Sequence, residues 1–458
     1  MHTARSTLAP PWTRTPHRAL PRTGESPGAG GCGASPGARR LRPAGCGGSP
    51  LSSVSGVPVE AAEAVWSCPF DFAEALEFDP LLRKLLEEHP VARITMPYGE
   101  GEAWLVTRYE DVRTVTTDRR FSRKAVTGRD FPRMTPEPIV QSEAINLMDP
   151  PAVTRLRGLV AKGFAAGQVE RMRRRTERVV DDLLTAMAAS DAPDLFAHLA
   201  SPLPMHTICE VLDIPEPDRA RLRHNALTMM NIGAAGKEAA VRAKAELRAY
   251  FTELTAERRR SPGQDLISSL ATARVGDDLL DDRELAVMAM VLLITGQDTT
   301  TYEIANLGYL LLTRDDLRSA LRDRPELLPR ALDEMLRHIP FRKGVGIPRV
   351  ATEDVELGGV TIRAGDVVHV SYLTANRDAE KFPNPHDIDF TRPAVPHMTF
   401  GWGSHHCLGA PLAEMEMRVA LEALLTRFPG LRLAVPPEDI RWNTTSIWRH
   451  PLALPVTW

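Results

Sequence analysis

The chain has 458 residues, 43% apolar and 25% charged, which excludes a disordered or fibrous protein and suffices for one large core or two ordinary domains. Its 56 Lys and Arg nearly cancel 59 Asp and Glu, so no global field holds a polyanion; a nucleic-acid partner is not expected and small-molecule chemistry is. Five scattered cysteines, Cys32, Cys46, Cys68, Cys209 and Cys407, are odd in number and lack CxxC spacing, which fits reduced thiols and a cytoplasmic setting.

Residues 1–60 are rich in Arg, Pro, Gly, Ser and Ala and show no apolar periodicity. Such a stretch cannot offset its ordering entropy, so it reads as disordered or as an extension from a start codon placed too early. It lacks the apolar stretch of a signal peptide, and no segment approaches the roughly 18 consecutive apolar residues of a spanning helix, so no membrane association is expected. Residues 61–458 read as a single packed domain without internal repeat or linker. Within 91–107, Val91, Ile94, Trp104, Leu105 and Val106 flank the turn Tyr98-Gly99-Glu100-Gly101 in hairpin fashion. Helical spacing then takes over, with apolar residues at three- and four-residue steps over 156–164, 169–188, 195–212, 237–258, 281–312 and 329–338. A second β-rich patch covers 350–370 with Gly358-Gly359 as its turn, and further strands are expected in 431–458 after a last helix. The fold class is mainly α with minor β-sheets.

Three segments carry chemistry. In the first, Gly401, Gly403 and Gly409 surround Cys407, and the helix that follows, 410 to about 427, points its N-terminal amides at the sulfur. Glycines let backbone approach a bulky planar group, and the amides and helix dipole favour thiolate over thiol. Such a thiolate is a nucleophile or a metal ligand; a buried structural cysteine is the plain alternative. Zinc bound by His405, His406 and Cys407 is the weaker reading, since three consecutive residues cannot all reach one tetrahedral ion. In the second, the long apolar helix 281–312, about 48 Å if continuous, is interrupted by Thr295-Gly296-Gln297-Asp298-Thr299-Thr300. Glycine and hydroxyls bend helices and open room for a ligand; an exposed polar turn would look the same. In the third, Glu334 and Arg337 share one helix face and can pair.

The cysteine segment resembles the haem-binding loop of the cytochrome P450 family, Phe-Gly-x-Gly-x-His-x-Cys-x-Gly, with every fixed position present from Phe400 to Gly409. The resemblance extends over residues 61–458 and implies a triangular prism of helices around buried haem b (iron protoporphyrin IX). It makes Cys407 the axial metal ligand, with Phe400, Gly401 and Gly409 shaping the cradle and His405, Arg157 and Arg349 holding the propionates. By the same resemblance Glu334 and Arg337 form the ion pair that locks the core. Thr295, Gly296, Asp298 and Thr299 form the oxygen-activation groove, where a carboxylate and a hydroxyl suit proton relay. Two positions depart from the family: Val153 replaces a histidine that often contacts a propionate, and Thr295 stands where Ala or Gly is usual.

The expected substrate pocket takes in the loop 124–146, Met229, Val291, Ile294, Thr295, Val345, Ile347, Ser446 and Ile447, with Gly344 and Gly346 leaving width for a multi-ring molecule. A glycine-hinged connection, 231–236, after Met229 and Met230 would make a lid. The basic run 171–175 reads as a solvated helix face and Met288 and Met290 as core filler. Hydroxylation or epoxidation of a multi-ring natural product is the leading expectation. Oxidative coupling of aromatic units, such as tryptophan-containing cyclic dipeptides or polyketide naphthols, is the alternative, and a non-catalytic haem-binding protein the third reading. The 51 residues after Cys407 are too few for a reductase domain. Electrons are therefore expected from NAD(P)H through a ferredoxin and its reductase.

Overall fold

Asp281 and Glu284 set the start of the longest helix. The Asp281 carboxylate accepts from the Glu284 N–H at 2.7 Å, and the Glu284 carboxylate accepts from the Asp281 N–H at 3.1 Å, a reciprocal capping box. In the computed structural model, which describes residues 64–68, 75–135, 144–164, 166–229, 237–275, 278–342 and 345–458, this helix runs Asp282–Thr313 without a break. Most of its residues are buried all round, so it forms the axis of the molecule. Against it pack the helices Pro202–Val211, Lys237–Arg260 and Ala410–Arg427. The Thr-Gly-Gln-Asp-Thr-Thr segment interrupts the apolar character of this helix and leaves its helical run intact. Thr295 and Thr299 turn their hydroxyls back onto the Val291 and Thr295 carbonyls, both at 2.8 Å.

The helix expected over 195–212 is divided into a π-turn, Phe196–Ala200, and an α-helix, Pro202–Val211. Pro202 lacks the N–H an interior position needs but suits a first turn. Four shorter helices lie outside the expected ones: Pro80–Glu88, Tyr109–Thr117, Glu216–Met229 and Leu266–Thr272. Local caps mark two of them: Asp79 accepts from Leu81 N–H at 2.7 Å, and Asp265 accepts from Ser268 N–H at 2.9 Å.

Among the described residues the largest sheet has six strands in the order Val65–Ser67, Val91–Thr95, Ala103–Val106, Val367–Val370, Arg349–Ala351, Phe121–Ser122. The expected hairpin is present, with Val91 opposite Val106 and Ile94 opposite Ala103. Gly358 and Gly359, at φ 57° and 83°, make the two-residue turn between Val355–Leu357 and Val360–Ile362. Near the end of the chain, Arg432–Leu433 pairs with Val456–Thr457. One large apolar cluster fills the helical part and two smaller ones flank the sheet. No helix among the described residues is long and apolar enough to cross a membrane. Residues 1–60, the proposed lid 231–236 with Met230, part of the loop 124–146 and Gly344 lie outside the described residues.

Candidate functional site

The loop carrying Cys407 is held by its own backbone before any ligand is considered. The Cys407 N–H donates to the Phe400 carbonyl at 2.8 Å, and Gly401 N–H to the Met398 carbonyl at 2.8 Å. Gly401 and Gly403 sit at φ 76° and 68°, where a side chain is strained, and a Cβ on Gly403 would lie 2.8 Å from the Thr116 carbonyl oxygen. Trp402 packs edge-on against Tyr109 at 6.0 Å, fixing the loop to the helix Tyr109–Thr117.

Cys407 opens onto a cavity of about 1830 Å³, counted with the open space at its mouth. The N–H groups of Gly409 and Ala410 bond to the sulfur and the Arg157 guanidinium lies near, yet burial outweighs them and pushes the thiol above its ordinary value. A metal cation bound there would favour the ionised sulfur, since coordination deprotonates a thiol. Among the described residues no three His, Cys, Asp or Glu side chains gather around an ion-sized site. The cysteine thus offers a single ligand from one side.

Beside the sulfur lies positive charge without matching carboxylates. Burial and Arg349 push Arg123 down to about 9, and burial pushes Arg342 down to about 10. Arg349 is 2% exposed; its Nη2 and the Nε of Arg123 have no hydrogen-bond partner. Burial would raise the Tyr372 phenol, but Arg349 and Arg123 outweigh it and lower its pKa. Burial, with Arg123 and Arg349 near, drives His405 down to about 2, and its ring bonds the Met148 backbone carbonyl. Arg157 donates to the His406 carbonyl at 2.7 Å. Unpaired buried guanidiniums are costly unless an anion joins them, so this cluster fits the propionates of a haem. Arg123, Arg342 and Tyr372 were not found from sequence; they come from three separate segments that only the fold brings together.

The opposite wall is a stripe of the long helix, comprising Met288, Val291, Leu292, Thr295, Gly296, Thr299, Thr300 and Glu303, which follows the three- and four-residue steps of one helix face. Ile294 and Asp298 each stand one residue off this stripe, rotated by about 100°, and do not reach the cavity wall. Asp298 is buried with both oxygens unpartnered, and burial raises its pKa to about 7 despite the nearby Arg223. Val345 and Ile347 line the cavity. Three other expected pocket residues do not. Met229 is buried in the helical core, Ile447 packs into the sheet-side core, and the Ser446 hydroxyl accepts from Trp448 N–H at 3.2 Å. Trp448 takes their place, stacked on Phe341 at 4.9 Å with an interplanar angle of 7°. Phe400, Gly401, His405, Gly409 and Arg157 also line the cavity, whereas Arg349, which interacts with Tyr372, is not among its lining residues.

Glu334 and Arg337 pair at two points, both 2.8 Å. The Glu334 carboxylate also accepts from Arg392 Nε and Asp389 N–H, each at 3.0 Å. Arg392 was not foreseen, because 58 residues separate it from its partner in sequence. Together they tie the helix Leu328–His338 to the segment that leads into the cysteine loop.

Comparison with known proteins agrees with this architecture. The family model described as Cytochrome P450 matches residues 222–451. Nocardicin C N-oxygenase of Nocardia uniformis subsp. tsuyamanensis is 46% identical over 394 residues, covering 86% of this chain and 98% of that protein. Mycinamicin IV hydroxylase/epoxidase of Micromonospora griseorubida is 44% identical over 391 residues, covering 85% and 98%. The crystal structure of cytochrome P450mel 107F1, described as having biaryl coupling reactivity, superimposes with a TM-score of 0.85 at 72% identity, covering 86% of this chain and 100% of that one. The chain belongs to the cytochrome P450 family. It has that family's fold and is an oxidoreductase of the haem-iron class.

Proposed function

We propose that the protein binds haem b with Cys407 as the axial ligand and hydroxylates or epoxidises a multi-ring natural product. One observation carries this reading: a single cavity holds a lone accessible cysteine, a set of cations without anions, and a stacked aromatic pair. Haem bound there supplies the activation of dioxygen.

The chain's own residues do the rest. Arg123, Arg157 and His405 receive the propionates, with guanidinium forks matching carboxylates in geometry, and Arg349, off the lining beside Tyr372, adds its charge to theirs. Phe400, Gly401 and Gly409 shape the cradle around the planar group. Phe341 and Trp448, with the Arg342 guanidinium 5.1 Å above the Trp448 ring, present a flat wall suited to fused or linked aromatic rings. Val291, Leu292, Val345 and Ile347 exclude water from the space opposite. Asp298 stores a proton near neutral pH behind the wall, and the Thr299 hydroxyl, now on the Thr295 carbonyl, passes protons into the cavity when it rotates. Thr295 adds a second hydroxyl on the same face, and Gly296 leaves the helix surface bare beside it.

A second reading is favoured by the 72% identical structure with biaryl coupling reactivity: the same cavity holds two aromatic units and joins them with loss of two hydrogens. Mass spectrometry of the product separates the two. A gain of one oxygen supports the first reading, and a dimer lacking two hydrogens supports the second. Absence of any product across aromatic candidates, with haem and reductant present, supports a non-catalytic haem-binding protein instead. Electrons reach the site from NAD(P)H through a ferredoxin and ferredoxin reductase, tested by reconstitution with each omitted in turn. We place the enzyme in the cytoplasm and assign it neither a nucleic-acid nor a membrane partner.

A further inference from the structure

His369 has no part in the chemistry described so far, yet its ring is wedged between two backbone carbonyls. In the strand Val367–Val370, Val368 and Val370 belong to one apolar cluster and Val367 to another. By alternation His369 faces the second, which also holds Met134 and Val345. It is 2% exposed. Its Nδ1 lies 3.1 Å from the Gly346 carbonyl oxygen and its Nε2 3.0 Å from that of Pro132. A neutral imidazole has one N–H and satisfies one of these oxygens, leaving the lone pair of its other nitrogen against the second; an imidazolium donates to both. An acceptor at each nitrogen, inside an apolar layer, suits the charged ring better than the neutral one.

The two carbonyls belong to different segments. Gly346 lies with Val345 and Ile347 on the lining of the large cavity, and its N–H donates to the Val370 carbonyl at 2.8 Å. Pro132 lies in the loop after Lys124–Val126, where the next residue, Arg133, exchanges backbone hydrogen bonds with Tyr98 at 3.2 and 2.8 Å. The imidazole therefore bridges the cavity lining and that loop. Burial and the fields of Arg342 and Arg349 drive its pKa down to about 4, although both carbonyls raise it. Other charges on the elements around it are engaged elsewhere: Asp130 with Arg133, Arg129 on the Gly365 carbonyl, Glu102 with Arg93, and Asp366 on the Trp104 indole. Two guanidiniums thus oppose the proton that the geometry of the ring asks for.

We propose that His369 is a positioning residue that clasps the cavity lining at Gly346 to the loop at Pro132, and that an anion seated beside Arg342 and Arg349 closes the clasp. The anion cancels the positive field that opposes protonation, the ring takes one proton from water, and the imidazolium donates to both carbonyls. No covalent bond between heavy atoms changes and no electron moves; one anion and one proton bind together. By reciprocity, the factor by which the anion strengthens proton binding is the factor by which the proton strengthens anion binding. A carboxylate is the anion whose geometry matches the guanidiniums. Its identity as a haem propionate rests on the proposed function.

The test is hydrogen exchange of the holoprotein at the Arg133 and Gly346 amides, compared between the unsubstituted protein and His369→Gln across the acid-to-neutral range. Glutamine keeps a donor and does not titrate. Relative to that variant, both amides should gain about tenfold in protection as pH falls, the worth of one charge-assisted hydrogen bond. Arg349→Gln should move the midpoint of that gain to higher pH, a shift that a histidine serving only to pack would not show. Nitrogen-15 NMR of histidine-labelled, reduced, carbon-monoxide-bound holoprotein covers the case in which His369→Gln folds poorly. A ring protonated on both nitrogens in acid and on one at neutral pH, with its midpoint raised in Arg349→Gln, supports the clasp. A protection ratio independent of pH, or a ring neutral throughout, overturns it. Haem occupancy is read separately by absorption and no product is measured, so failure of the proposed oxidation leaves this result standing.

Discussion

The Arg337 guanidinium meets both carboxylate oxygens of Glu334 at 2.8 Å and directs its remaining N–H groups to the carbonyls of Asn376, Pro385 and Asp387. Every donor is used, in a place where Arg337 is 1% exposed. Breaking such a buried pair from one side leaves an uncompensated charge, so Arg337→Met is expected to cost about 3–5 kcal/mol. Arg337→Lys should fare little better, because an ammonium cannot reproduce the planar fork. Urea unfolding checks this, and stabilities within about 1 kcal/mol of the unsubstituted protein would refute it.

The pKa of Asp298 gives a pH dependence with a definite sign. The folded carboxyl holds its proton to about 7 because it is buried, against an ordinary value of 3.8. Between those values the unfolded chain binds fewer protons than the folded one, so this group lowers stability as pH rises. Asn does not titrate. The melting-temperature advantage of Asp298→Asn should therefore grow from about pH 4 to about pH 7 and then level off. A difference independent of pH would contradict the burial argument.

Cys407→Ser tests the axial ligand. The variant should keep its far-ultraviolet circular dichroism, because the loop is held by backbone bonds rather than by the sulfur. It should lose the thiolate-type absorption band of the reduced, carbon-monoxide-treated protein. Persistence of that band would remove Cys407 from the site.

Arg349→Gln tests the cationic cluster. Removing one positive charge from behind the cavity wall, worth about 1.4 kcal/mol, should speed haem loss by about tenfold. The free protein, relieved of one uncompensated buried charge, should become no less stable. Unchanged haem retention would place the propionates elsewhere.

Thr299→Ala removes the hydroxyl that faces the cavity. Electron consumption should continue while product falls and peroxide accumulates, read as the ratio of product to NAD(P)H oxidised. An unchanged ratio would deny the hydroxyl a part in proton delivery.

Much of this was legible from local pattern. The long helix showed itself by its apolar run, the hairpin by the apolar residues flanking its Gly99 and Gly101 turn, and the cysteine loop by its glycines. Pairings across distant segments were not legible: Arg392 with Glu334, or Arg123 and Arg342 with Arg349. No local period records which separated arginines will gather beside one cavity. Rotation about the helix axis decided finer points. Asp298 and Thr299 are neighbours in sequence, yet one faces the protein interior and the other the cavity. Trp448 rather than Ser446 or Ile447 forms the wall, because the chain there has no regular alternation from which to count faces.

The close seat of Gly403 against the Thr116 carbonyl couples two parts of the molecule that share no ligand. Any methyl group introduced at that glycine must push the cysteine loop off the helix Tyr109–Thr117 or tilt that helix, and the sulfur moves with it. Substitutions on a surface helix far from the substrate can therefore retune the iron centre, and variant libraries aimed only at cavity residues would overlook this handle.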